Sequence, residues 1–182
     1  MLEISLHILD IVENSTRAGA TTVSIDIAED TARDILSLEI RDNGSGMSED
    51  VLKKVMNPFF TTKTVRSVGL GLPMLAQAAE MAGGRITIES KGGEGTRVAA
   101  DFKLSHIDRQ PFGDIAGTLV TLIAGNTEVN FIYRHEHNGK IYVLDTREIK
   151  KEIEDIPINH ATVLAFIREH INEGLAEIGA EA

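Results

Sequence analysis

The sequence predicts an α+β protein in two parts, a larger unit over residues 1–104 and a smaller C-terminal annex over residues 105–182. Three observations carry that expectation. Leu6, Leu9 and Val12 recur at helical spacing, whereas Thr22 to Ile27 and Ile35 to Ile40 alternate with period two and are rich in β-branched residues. Hydrophobic residues make up 42% and charged residues 25% of the chain, enough apolar mass for a buried core and too much for a disordered chain.

The elements follow in order. An amphipathic helix runs from Leu6 to Arg17 and stops at Gly19, because glycine accepts the backbone turn that ends a helix. The two alternating strands form a hairpin across the polar stretch AEDTARD. Ser48 is an N-cap for a short helix to Val55, with acids in its first turn. Asn57 to Gly69 shows no clear period, and a second helix from Leu72 to Met81 stops at Gly83-Gly84. Strands Arg85 to Glu89 and Thr96 to Leu104 flank the turn Gly92-Gly93-Glu94-Gly95. Ser105 to Gly113 is a short connection. The annex reads as α-β-β-α: a helix from Ile115 to Ile123, strands Val129 to His135 and Lys140 to Leu144 around the hairpin signal Asn138-Gly139, and a closing helix from Thr162 to Ile178.

Composition excludes several functions. The 18 basic residues against 28 acidic give a formal charge of -10, which repels a phosphate backbone and argues against DNA or RNA as partners. With no cysteine there are no disulfides and no thiolate chemistry. The opening MLEISLHILD lacks the basic, apolar pattern of a secretion signal, and no apolar run reaches the length of a membrane span. These features lead us to expect a cytoplasmic protein with no membrane partner.

Four short motifs carry chemistry. Asp10 and Asn14 lie four apart, so a helix presents a carboxylate and an amide one turn from each other on one face, as a water and metal site or as an ordinary solvated face. RDNGSGM places Asp42 at a strand end, where a carboxylate accepts a hydrogen bond from an exocyclic amine, and the same residues also suit a plain Asn-Gly turn. PFFTTK offers apolar anchors, two hydroxyls and an amine. Gly69-Leu70-Gly71-Leu72 opens a helix, where glycines let phosphate approach backbone N–H groups. The chain has neither the longer dinucleotide fingerprint nor a Walker-type lysine motif.

In that order the motifs resemble the GHKL family of ATPases and kinases. HILDIVENSTRAGAT resembles its N box, RDNGSGM its G1 box, PFFTTK the motif beside the ATP lid, GLGL its G2 box, and GEGT its final glycine motif. GGRITIESKGGEGTRVAADF is also similar to the end of histidine-kinase catalytic domains, and the resemblance spans about residues 6 to 104. It implies a two-layer α/β sandwich of the Bergerat type that binds ATP with magnesium. It also assigns residues: Asn14 to magnesium, Asp42 to the adenine amino group, Gly44 and Gly46 to the base, Gly69, Leu70 and Gly71 to the phosphates, and Thr96 to a water-mediated support of Asp42. Arg17 and Lys63 are either phosphate partners or surface cations.

The departures from the family pattern refine the expectation. Where hydrolysing members place a glutamate, this chain has Asp10, whose reach is shorter by one methylene, roughly 1.5 Å. A displacement of about 1 Å can cost ~100-fold in rate, so Asp10 as the catalytic residue implies slow hydrolysis or another acceptor. Glu13 points about 60° away around the helix and is a poor substitute. The lid between Thr61 and Gly69 is short, and His7, inside the N-box helix, is a poor phosphoacceptor. The leading expectation is a protein kinase similar to anti-sigma-factor serine kinases or a detached sensor-kinase catalytic domain, acting on a protein substrate. The alternative is a nucleotide-gated module that docks a regulatory protein with little turnover; a homodimer is compatible with both.

In the annex, His135 and His137 share a strand face at a spacing that permits metal binding, but without an evident third ligand they read as a solvated hairpin tip. Lys150 to Asp155 reads as an exposed segment, and Val163, Phe166, Ile167 and Ile171 as the buried stripe of the closing helix.

Overall fold

The computed structural model describes residues 2–56 and 71–180. Its elements run α1 (Ile4–Arg17), β1 (Thr22–Asp30), β2 (Ile35–Asp42), α2 (Glu49–Leu52), α3 (Gly71–Met81), β3 (Arg85–Lys91), β4 (Gly95–Lys103), α4 (Ile115–Gly125), β5 (Asn130–His137), β6 (Lys140–Asp145), α5 (Thr146–Glu152) and α6 (Ala161–Ile178). The six strands form one sheet in the order β3-β4-β2-β1-β5-β6, antiparallel except for the parallel pair β1 and β5. The fold is therefore α+β, as the sequence predicts.

Strand alternation decides which face is covered. Val23, Ile25 and Ile27 of β1, Leu36, Leu38 and Ile40 of β2, and Val98, Ala100 and Phe102 of β4 are buried, while their alternate neighbours are not. Over that apolar face α1 packs between α3 and α4, and α4 packs against α6. Burying each Ile or Leu contributes about 1.5–3 kcal/mol, so this layer contact is the main stabilising term. The opposite face carries Ser24, Asp26, Ser37, Glu39 and Arg41 around a shallow cleft of about 420 Å³.

The strands of residues 105–182 continue the sheet of the first unit. β5 pairs with β1 from Thr22 opposite Asn130 to Glu29 opposite His137. Phe112, Ile115, Leu119, Phe131 and Ile167 join Ile4, Ile8 and Ile25 in one apolar cluster. The connection before α4 does more than link. Glu3 supplies no side-chain cap to α1; instead the Pro111 and Phe112 carbonyls accept from the N–H groups of Ile4 and Ser5 at 3.0 and 2.9 Å. Those donors have no partner within their own helix.

Several local expectations change. α1 forms, but its buried stripe is Ile4, Ile8, Ile11 and Val12, and Leu6 is 39% exposed. β1 runs on through the AED that reads as turn, because Glu29 is buried against β5, and the turn shrinks to Thr31–Asp34. The annex has an additional helix, α5, capped by Asp145, whose carboxylate accepts from the Arg147 N–H at 2.9 Å; its last turn takes in Lys150 to Glu152 of the segment expected to be exposed. Phe166 lies 100° around α6 from the buried Ile167, is 59% exposed, and stacks on His170 with centroids 5.8 Å apart.

The expected solvated tip at His135 is overturned most fully. His135 is completely buried; its Nε2 donates to Glu29 Oε1 at 2.7 Å and its Nδ1 lies 2.6 Å from the Tyr133 hydroxyl. His137 is 3.5 Å from the second Glu29 oxygen. Burial alone would raise the Glu29 pKa, but the hydrogen bond and charge of His135, with the charge of His137, outweigh it and hold the carboxyl below its ordinary value. The parallel strand pair brings these groups together, and single-strand spacing holds no record of that pairing.

Candidate functional site

One edge of the helix layer, where α1 meets the end of β2 and the β3–β4 turn, gathers the candidate residues. α1 presents Asp10, Asn14 and Arg17 on one side. The Asn14 amide donates to Asp10 Oδ2 at 3.4 Å, and its carbonyl oxygen accepts from Arg17 Nη2 at 2.7 Å. Arg17 is also within 3.7 Å of Glu13.

Asp42 follows Ile40 in the inward-facing alternation of β2, so its carboxylate points toward α1 rather than to the open face. Both of its oxygens are engaged. The Ser15 hydroxyl donates to Oδ2 at 2.6 Å, and the Gly44 N–H donates to Oδ1 at 2.9 Å. Such bonds to an ionised acceptor are short and strong, and they fix the carboxylate at the strand end.

The loop after Asp42 is laced to the β3–β4 turn. Gly93 N–H donates to the Ser45 carbonyl at 2.7 Å, and Met47 N–H to Ser90 Oγ at 2.8 Å. Gly46 has φ +64°, and a Cβ there would lie 2.0 Å from the Lys91 carbonyl oxygen. A Cβ on Gly95 would lie 2.0 Å from the Asp42 carbonyl oxygen. Glycine is required at both by close backbone approach. Gly44 is less confined, with its nearest atom, the Ala18 carbonyl oxygen, at 3.0 Å.

Gly71 opens α3 directly against Asp10: a Cβ on it would fall 1.7 Å from Asp10 Oδ2. Thr96 is the cross-strand partner of Asp42 and also of Ser90, whose hydroxyl lies 2.9 Å from that of Thr96. The structure thus brings together Asp10, Asn14, Arg17, Asp42, Gly44, Gly46, Gly71 and Thr96. Lys63, Gly69 and Leu70, with all of PFFTTK and the short lid, lie outside the described residues. His7 is 1% exposed with its Nε2 2.9 Å from Gln110 Oε1; burial lowers its pKa, against the raising effect of that bond.

Two residues of this site escape sequence reasoning. Ser15 sits on the buried stripe of α1, four residues after Ile11, and Ser90 follows Ile86 and Ile88 on the inward side of β3. A small hydroxyl interrupting an apolar face is the signal that could have found both.

A mixed sheet covered on one face, with a locked carboxylate at a strand end and glycine-confined loops beside it, defines an α+β domain with a polar site at one end of the sheet. Residues 3–106 match the family described as histidine kinase-, DNA gyrase B-, and HSP90-like ATPase, and the chain belongs to that family. ATP binding follows from that membership. The chain is 35% identical over 96 residues to the sensor protein DegM of Bacillus sp. (strain B21-2), covering 53% of this chain and 26% of that one. It is 44% identical over 64 residues to the sensor kinase CckA of Brucella abortus (strain 2308), covering 35% of this chain and 7% of CckA. The chain thus spans only a minor part of these relatives. The ATPase domain of Aquifex aeolicus MutL complexed with ADP superposes with a TM-score of 0.55 at 15% identity, over 85% of this chain and 68% of that one, which shows a shared fold. No helix among the described residues is long and apolar enough to cross a membrane.

Proposed function

We propose that the chain binds Mg-ATP at this site and passes the γ-phosphoryl group to a protein. The observation that carries the reading is the Asp42 carboxylate, held by Ser15 and Gly44 at the strand end and turned toward the helix that bears Asn14. An acceptor so fixed suits the adenine amino group. The described residues contain no group of three or more His, Asp or Glu side chains arranged for a metal. Magnesium suits such a site, since it retains waters and leans on one or two protein oxygens plus phosphate. Asn14 is the candidate oxygen, and Arg17, which holds that oxygen here, is the group that turns aside toward phosphate. When bound, the ion neutralises phosphate charge. Asp10 is the candidate base, and residues 105–182 are the region in which we place partner choice.

Kinase relatives favour this reading, and Asp10 favours a second one. In that reading nucleotide binding gates protein docking with little turnover, since the aspartate is short and pressed against Gly71. Incubation with magnesium, γ-labelled ATP and lysate separates the two. Labelled protein that disappears with Asn14→Ala supports transfer. Tight, Asn14-dependent binding without any labelled protein leaves the gate.

A further inference from the structure

Ser90 has three polar neighbours and uses all of its bonding capacity. Met47 N–H donates to Ser90 Oγ at 2.8 Å, the Gly95 carbonyl oxygen lies at 2.9 Å, and the Thr96 hydroxyl lies at 2.9 Å. A serine hydroxyl has one proton and two lone pairs. The Gly95 carbonyl can only accept, so the Ser90 proton goes there, and Met47 N–H can only donate, so it takes one lone pair. The remaining contact is then satisfied only if Thr96 donates its own proton to Ser90. Thr96 Oγ1 is left with lone pairs alone.

The strand register gives this polarity its meaning. Thr96 is the direct partner of Asp42 across β4 and β2, and paired residues project to the same face about 4.5–5.5 Å apart. Asp42 is itself an acceptor whose donors, Ser15 and Gly44, are internal. Side by side, Thr96 and Asp42 form an edge that accepts hydrogen bonds and donates none.

We propose that Ser90 is a specificity-positioning residue: by consuming the Thr96 proton, it keeps the base site acceptor-only and so selects a purine with an exocyclic amine donor at the six position over one with a carbonyl there. The proposal rests on the ATP-site reading above and adds the hydrogen-bond polarity that sets base choice. Ser90 acts on the base through the Thr96 hydroxyl. Without Ser90, the Thr96 hydroxyl is free to rotate and donate, and a carbonyl becomes tolerable.

Calorimetric titration of the full chain with ATP and with GTP, in magnesium, tests it through the ratio of the two dissociation constants. Ser90→Ala is expected to lower the preference for ATP about 3- to 10-fold, the worth of one neutral hydrogen bond, and Ser90→Thr to restore it. In a Thr96→Val background, Ser90→Ala is expected to leave the ratio unmoved, since the hydroxyl it controls is gone. Ser90→Cys, which keeps the volume and is a weak donor, carries the same test if Ser90→Ala does not fold. A purely structural serine would weaken both nucleotides alike; an unchanged ratio in Ser90→Ala or Ser90→Cys overturns the proposal. Failure of the wild-type chain to bind either nucleotide overturns the site reading itself, a different result from binding without a shift in preference.

Discussion

Gly46 and Gly71 both stand where a Cβ would collide, yet the obstacles differ in kind. At Gly46 the obstacle is the Lys91 backbone carbonyl and φ is +64°; at Gly71 it is the end of the Asp10 side chain. Backbone cannot yield cheaply, whereas a carboxylate can rotate away. Gly46→Ala is therefore expected to destabilise the fold by about 1–3 kcal/mol, lowering the melting temperature by several degrees. Gly71→Ala is expected to leave the melting temperature nearly unchanged while displacing Asp10, so any measured turnover of ATP falls. Comparing thermal melts and phosphate release for the two variants checks this division. The motif glycines were legible in the sequence as a group; their separate reasons were not, because each depends on an atom distant in the chain. Asp42 was legible for its strand-end position, while its lock by Ser15 spans 27 residues and leaves no local trace.

At the scale of elements, the short connection before α4 proves to be part of the α1 helix end. Pro111 and Phe112 cap α1 through their carbonyls, and the Phe112 ring is buried beside His135 with centroids 5.7 Å apart. Phe112→Ala removes a buried ring and loosens the cap together. The expected cost is about 3–5 kcal/mol, read from denaturant midpoints, with nucleotide affinity falling as well because Asp10 and Asn14 ride on the same helix. Most element types were readable from period and punctuation, since Gly19, Gly83 and Gly139 stop or turn the chain through positive φ. The failures share one cause. β1 is longer than its pattern, α1 is rotated from its predicted stripe, and Phe166 lies outside the core, because tertiary neighbours rather than local propensity decide which face is buried.

Across the whole molecule, the parallel pairing of β1 with β5 makes the C-terminal strands part of the same sheet and encloses the Glu29, His135 and Tyr133 cluster at their seam. Burial keeps the Tyr133 phenol protonated far above its usual range. Glu29, held below its ordinary pKa, contributes stability that is fully present above its unfolded value of 4.5 and is lost as pH falls through the lower folded value. Melting temperature measured from pH 7 to pH 3 is expected to fall below about pH 4.5 in the wild type for this reason. His135→Leu leaves a buried carboxylate without its main partner and is expected to cost about 3–5 kcal/mol at neutral pH. In that variant the loss should be smallest in acid, where Glu29 is protonated in both proteins.

The proposed ATP site depends on one carboxylate at the end of β2, held by Ser15 of α1, and on one amide of the same helix. Calorimetry of the purified chain with Mg-ATP is the most direct test. Wild type should bind, Asp42→Asn should weaken binding roughly 10- to 100-fold, as expected for a lost charge-assisted hydrogen bond, and Asn14→Ala should remove most of the dependence on magnesium. Equal affinity in wild type and Asp42→Asn, or no binding by the wild type, would contradict it.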